Sequence, residues 1–173
     1  RGGLARRSDL ETPAWKEIFE RLEARQATFL AQETRFRSPE YRWPRDPLHT
    51  WSRVWEYPYV FSHLEEFRST SRDARAPRVG DLGSGVTFFP FAVADLGVDV
   101  VCLDNDPVCV RNLTAAIRAV PTTAGCVDAR LSDSRLPLDS GEADVVYSIS
   151  VIEHVPEFES LIEEVRRVLR PGG

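Results

Sequence analysis

No apolar run in the sequence approaches the ~20 residues needed to cross a bilayer, so no membrane-spanning helix is expected. The opening RGGLARRSDL carries charge without the apolar stretch of a signal peptide. The first residue is Arg1 rather than Met, and the natural start is expected to lie upstream. Cysteine is scarce. Cys102, Cys109 and Cys126 form no CxxC pair, which argues against a thiolate metal site, and Cys102 within an apolar run is expected to be a small buried hydrophobe. A sparse, odd count fits a reducing, cytoplasmic setting. A basic stripe is also missing from the second half. The net charge of −5 divides into +3 for residues 1–78 and −8 for the remainder, so a general nucleic-acid surface is not expected. The arginine-rich front is open to two readings, solvated helix faces or contact with an anionic substrate.

What is present is 173 residues, 42% of them hydrophobic, enough for one globular domain with a substantial core. The front, residues 1–76, reads as a helical, aromatic-rich lid or cap. TPAWKEIFERLEARQATFLAQ offers Thr12 as N-cap and Pro13 as first helical residue, with Trp15, Ile18, Phe19, Leu22, Phe29 and Leu30 at helical spacing. RSPEYRWPRDP holds three prolines and reads as a loop. HTWSRVWEYPYVFSHLEEF resumes helical spacing, and Pro58 is expected to break or kink it. RSTSRDARAP reads as a linker.

The rhythm changes from Pro77. RVGDLG, VDVVCLD, CVDARLSD and ADVVYSIS read as short strands. FFPFAVADLG, DPVCVRNLTAAIRAV and EFESLIEEVRRVLRPGG read as the intervening helices. Asp106 before Pro107 reads as an N-cap. Phe158, Leu161, Ile162, Val165, Val168 and Leu169 line one face of the last helix. Strands alternating with helices imply an α/β fold, a Rossmann-like doubly wound parallel sheet of about four strands covered on both faces.

In such a sheet, ligands bind beyond the carboxyl ends of the strands. The first strand ends at Asp81–Leu82, so the Gly83-Ser84-Gly85 turn lies at that place. Gly83 permits a tight turn and Gly85 a close approach to backbone, and the next helix offers free N–H groups. A dinucleotide site wants G-x-G-x-x-G, but its third glycine is Phe88 here, and a pyrophosphate would be repelled by Asp81. Asp81 suits a ligand carrying an ammonium group, or orients the loop through backbone N–H groups.

VGDLGSG resembles the first motif of class I S-adenosylmethionine-dependent methyltransferases, with Thr87 at the usual third glycine. The resemblance runs from about Pro77 to Gly173 and implies S-adenosylmethionine as cofactor. It assigns Asp104, 19 residues past Gly85, to the ribose hydroxyls and sets Asn105 beside the adenine. ARLSDSRLPLDSGEADVV resembles the third and fourth motifs. Asp133 would bond the adenine amino group, with Asp128 as the alternative, and Ser134 would offer its backbone N–H to the ring. DVVYSISVIEHV is similar to the fourth-strand motif of the small-molecule members. It would set Ser148 to Ser150 under the methionine part and His154 either facing the substrate as base or orienter, or holding the turn. Arg53 and Tyr57 of the front are candidates for cofactor or acceptor contact. One RNA-methylating subfamily builds a metal site on Glu-x-x-Glu-His. Ser150 occupies its first position here, and His49 and His63 are not assumed to complete it, so no metal is expected.

The implied function is methyl transfer to a small-molecule acceptor, without nucleic acid or membrane as partner. The alternatives are a non-catalytic relative serving as a partner module, and a nicotinamide-dependent oxidoreductase. RVLRPGG resembles the family segment just before the fifth strand, so the chain is expected to be truncated there. Its fourth strand would then show an apolar edge for a second copy or a partner chain to cover.

Overall fold

Thr12 starts the first long helix by accepting from the Trp15 N–H, and Pro13 fills the first position, where no N–H is needed. This computed structural model describes residues 6–45, 47–50, 52–71 and 75–173. Helix α1 spans Pro13–Leu30 and α2 spans Arg53–Thr70. Of the break or kink expected at Pro58, the break does not occur: helix α2 is continuous through it. Pro58 lies in the second turn and is itself buried, so its ring packs inward while only one backbone bond is lost. Between the helices, the described residues 36–45 and 47–50 lie in a loop pinned by side chains. The Asn112 Oδ1 accepts from the Ser38 N–H at 2.8 Å, and the Gln26 Oε1 accepts from the Leu48 N–H at 3.2 Å.

The second part alternates as β1 (Arg78–Leu82), α3 (Phe89–Ala94), β2 (Asp99–Asp104), α4 (Pro107–Ala119), β3 (Val127–Leu131), β4 (Val145–Ser148) and α5 (Phe158–Val168). The four strands are parallel, in the order β3-β2-β1-β4. The β1 ladder sets Asp81 opposite Cys102 on one side and Tyr147 on the other. Val79, Val100, Cys102 and Tyr147 point to one face, where α1 to α4 share a single core. Leu82, Val101 and Leu103 point to the other, with Val168 of α5. The aromatic front thus belongs to the same core as the sheet. Phe29 lies 5.3 Å from Phe91, and Tyr57 stacks on Phe89 at 4.6 Å. Trp51 lies outside the described residues, as does part of the expected linker.

Among the described residues, no helix is long and apolar enough to cross a membrane. The apolar stripe of α5 is only partly covered: Val168 is fully buried, while Phe158 and Ile162 are exposed.

Candidate functional site

The site grows from the carboxyl ends of the neighbouring strands β1 and β2. The Gly83 N–H donates to the Leu103 carbonyl at 2.7 Å, so the turn is tied to the end of β2 at its first glycine. Gly83 and Gly85 have φ of +72° and +55°, conformations that glycine adopts without strain. The space at Gly83 is also closed: a Cβ there would overlap the Val151 side chain. At Gly85 the nearest groups to such a Cβ are Thr87 Cγ2 at 3.8 Å and Tyr41 Oη at 4.0 Å.

Asp104 lies beside this turn at the carboxyl end of β2. Its Oδ2 accepts from the Gly85 N–H at 2.8 Å and its Oδ1 from the Asp106 N–H at 2.9 Å. Burial raises the Asp104 carboxyl above its ordinary value, against the lowering effect of these backbone donors. Each carboxylate oxygen can accept a second hydrogen bond, so a pair of ligand hydroxyls still finds acceptors there. Asp106 caps α4 by accepting from the Val108 N–H at 2.8 Å. Asn105, Asp133 and Ser134 are exposed at the same edge of the sheet, and the Asp133 Oδ1 accepts from the Arg135 N–H at 2.9 Å. Asp128 lies near the start of β3, paired with Arg130 at 2.9 Å, away from the carboxyl ends.

Asp81 lies beneath the turn, 5% exposed. Burial pushes its carboxyl up to about 7; the Tyr147 hydroxyl opposes that rise and the Asp104 charge adds to it. Ser84 is buried beside it, while the Ser148 Oγ donates to the Leu82 carbonyl at 3.0 Å.

Helix α2 closes the top of the site through three residues. Tyr57 is buried, and burial pushes its phenol far up. Arg53 pairs with Glu56 at 2.6 Å and also bonds the Ser150 Oγ. Ser150 in turn donates to Glu56, at 2.9 and 3.0 Å from the two carboxylate oxygens. Ser150 has φ of +51°, in the left-handed region, which costs a serine about 1–3 kcal/mol. The cavity left between α2 and the turn has a volume of about 20 Å³ and is bounded by Tyr57, Asp81, Ser84, Thr87 and Tyr147. A larger hollow of about 530 Å³ lies outside this site, between Trp43 and Arg42 of the loop and the first turns of α4.

The structure therefore brings together Asp81, Gly83, Ser84, Gly85 and Asp104, with Arg53, Tyr57, Ser148 and Ser150 above and beside them. His154 is exposed on a 3-10 turn, Ile152–His154, and joins none of these bonds. His49, in the loop before α2, pairs with Glu23 of α1 at 3.0 Å, and the His63 ring on α2 lies edge-on to Tyr59. Among the described residues no three metal-ligating side chains converge. Sequence reasoning missed Glu56, Tyr147 and Val151. Glu56 was one residue from Tyr57 and three from Arg53, so helical spacing offered a signal; for Tyr147 only the strand register reveals the role, and for Val151 only its packing against Gly83.

A parallel sheet of this order, with a glycine turn and an acidic residue at the carboxyl ends of β1 and β2, defines a Rossmann-like α/β fold. The pattern of the methyltransferase domain family matches residues 80–173. An uncharacterized methyltransferase of Mycobacterium leprae (strain Br4923) is 39% identical over 102 residues, 57% of this chain and 36% of that protein. One from Mycolicibacterium gilvum is 35% identical over 105 residues, 61% of this chain and 40% of that protein. The chain thus spans less than half the length of the relatives it matches. Among solved structures, a Methanococcus maripaludis protein covers 100% of this chain and 64% of its own length at TM-score 0.56 and 14% identity, a likeness of fold alone. PH0226 of Pyrococcus horikoshii reaches TM-score 0.53 at 28% identity over 73% of this chain and 59% of its own. The chain belongs to the methyltransferase domain family and has the fold of class I S-adenosylmethionine-dependent methyltransferases.

Proposed function

We propose that the chain binds S-adenosylmethionine and transfers its methyl group to a small-molecule acceptor. The observation that carries this reading is the bond between Asp104 and the Gly85 N–H at the carboxyl ends of adjacent parallel strands. It fixes a carboxylate and a half-buried glycine backbone side by side, a set suited to a ribose and the chain beyond it.

In this reading residues 77–173 hold the cofactor and residues 1–76 form the cap. Asp104 takes the ribose hydroxyls. Asn105, Asp133 and Ser134 take the adenine. Asp81 serves the ammonium end, with the backbone of Gly83, Ser84 and Gly85 around it and Ser148 and Ser150 alongside. Arg53 and Tyr57 face the cofactor or the acceptor, and His154 is the base or orienter. When bound, the cofactor supplies a methyl carbon already made electrophilic by the sulfonium. The chain then has to align a nucleophile and exclude water, an effect of proximity and orientation that needs no acid–base residue unless the acceptor is a hydroxyl or a protonated amine. A cavity of about 20 Å³ holds one water and no nucleoside, so ligand entry requires α2 to shift. Beyond the Ala143–Leu169 bridge, the outer edge of β4 pairs with no strand among the described residues, and it is the place for a second copy or a partner chain.

That small cavity also favours a second reading, a methyltransferase-like partner module that binds no cofactor. Calorimetric titration with S-adenosylhomocysteine and with NAD decides between them. Binding of S-adenosylhomocysteine supports the proposal. Binding of NAD alone overturns it in favour of an oxidoreductase, and binding of neither leaves the partner module.

A further inference from the structure

Tyr147 occupies the third position of β4, directly opposite Asp81 in the β1 ladder. Its ring is held edge-on to Phe89 at 5.6 Å, which fixes where the hydroxyl points. That hydroxyl is fully buried and has no hydrogen-bond partner among the described residues, and its neighbour across the ladder is Asp81. Both groups border the 20 Å³ cavity below the glycine turn, which has room for one water and no more. The other titratable groups around Asp81 are Tyr57 from α2, Cys102 from β2 and Asp104 at the end of β2. A tyrosine or a thiol at such depth stays neutral, and Asp104 repels a second negative charge. Among these neighbours the Tyr147 hydroxyl is the one that lowers the Asp81 carboxyl toward its ionised form.

We propose that Tyr147 is a positioning residue of the ligand site, holding the Asp81 carboxyl toward the cavity so that it meets the ammonium group of an amino-acid-bearing ligand. The inference rests on the cofactor reading above, and assigns to β4 a role distinct from the serines at its end. A ligand cation draws Asp81 into its ionised form, and the Tyr147 hydroxyl lowers the cost of that ionisation.

The test is Tyr147→Phe, which keeps the ring and removes only the hydroxyl. Titration with S-adenosylhomocysteine from pH 5.5 to 8.5 should show the acidic fall in affinity moved to higher pH. Affinity should be ~5–10-fold weaker at pH 7 and converge on the wild type at pH 8.5. In an Asp81→Asn background, Tyr147→Phe should change nothing further. Superposed pH profiles, or an equal loss at every pH, would overturn the proposal. If the wild type binds no S-adenosylhomocysteine, the cofactor reading fails by itself. The pair is then read from thermal stability. Tyr147→Phe should extend the decline of Tm to higher pH, and an unaltered pH dependence overturns the pairing.

Discussion

Asp104 and Gly85 are joined across two strands: one carboxylate oxygen accepts from the Gly85 N–H at 2.8 Å, and the other accepts from Asp106 at the start of α4. One side chain thereby shapes the glycine turn and offers the remaining lone pairs to a ligand. Asp104→Ala should lower the affinity for S-adenosylhomocysteine by ~1–3 kcal/mol, the cost of losing a charged acceptor. Calorimetry measures that loss and a thermal melt measures the structural part. A lower Tm with unchanged affinity would leave Asp104 a purely structural residue.

Gly83 is constrained twice, by φ of +72° and by the Val151 side chain, whose Cγ1 would lie 2.6 Å from an added Cβ. Gly83→Ala should cost about 2–4 kcal/mol from backbone strain and overlap together. Val151→Ala removes the overlapping atoms and leaves the strain. The double variant should therefore be more stable than the sum of the two single effects, with a coupling of ~0.5–3 kcal/mol in urea unfolding. Simple additivity would mean that the loop after β4 moves away from the turn at little cost.

Asp81 gives stability a pH dependence of predictable sign. Its carboxyl is raised from 3.8 to about 7 by burial. Between about pH 4 and pH 7 the folded protein keeps a proton that the unfolded chain has released, so stability falls as pH rises through that window. Above it the whole cost of a buried charge is present. Asp81→Asn carries no charge at any pH. Its Tm should exceed the wild-type value at pH 8 by more than at pH 4, at ~2–4 °C per kcal/mol recovered. Parallel Tm curves for the two proteins would show that Asp81 is ionised throughout.

The strand–helix alternation and the glycine turn were legible because they depend on local signals. Continuous apolar runs bounded by turn residues and rich in valine read as buried strands, and Thr12 and Asp106 before prolines read as helix starts. Asp81 and Asp104 were legible because each follows an apolar strand and so must emerge at its carboxyl end. At Pro58 the spacing left break and kink both open, since its position in the second turn and its buried ring decide its effect, and neither is written in the spacing. The bonds from Ser150 to Arg53 and Glu56 span more than ninety residues of sequence and depend on how α2 crosses the sheet. Tyr147 reads as one more apolar strand residue until the register sets it opposite Asp81.

Asp144 separates the stability of the fold from the chemistry of the site. Its carboxylate is fully buried at the amino ends of the strands, the end away from the glycine turn. It accepts from the Arg78 N–H at 2.6 Å, from Arg75 at 2.8 Å and from Arg170 at 2.5 Å, so it ties the start of β1 to the segment before it and to the chain leaving α5. Removing one member of a fully buried pair costs about 3–5 kcal/mol. Arg75 and Arg170 are partly exposed and regain water, so Asp144→Ala should cost less, about 2–3 kcal/mol. Urea unfolding should show that loss. Affinity for S-adenosylhomocysteine, measured well below the melting temperature, should stay within twofold of the wild type, because the carboxyl ends of β1 and β2 are held by Leu103 and Asp104 instead. A parallel drop in affinity would mean that the two ends of the sheet are coupled, and that the ligand site depends on more than the bonds at the glycine turn.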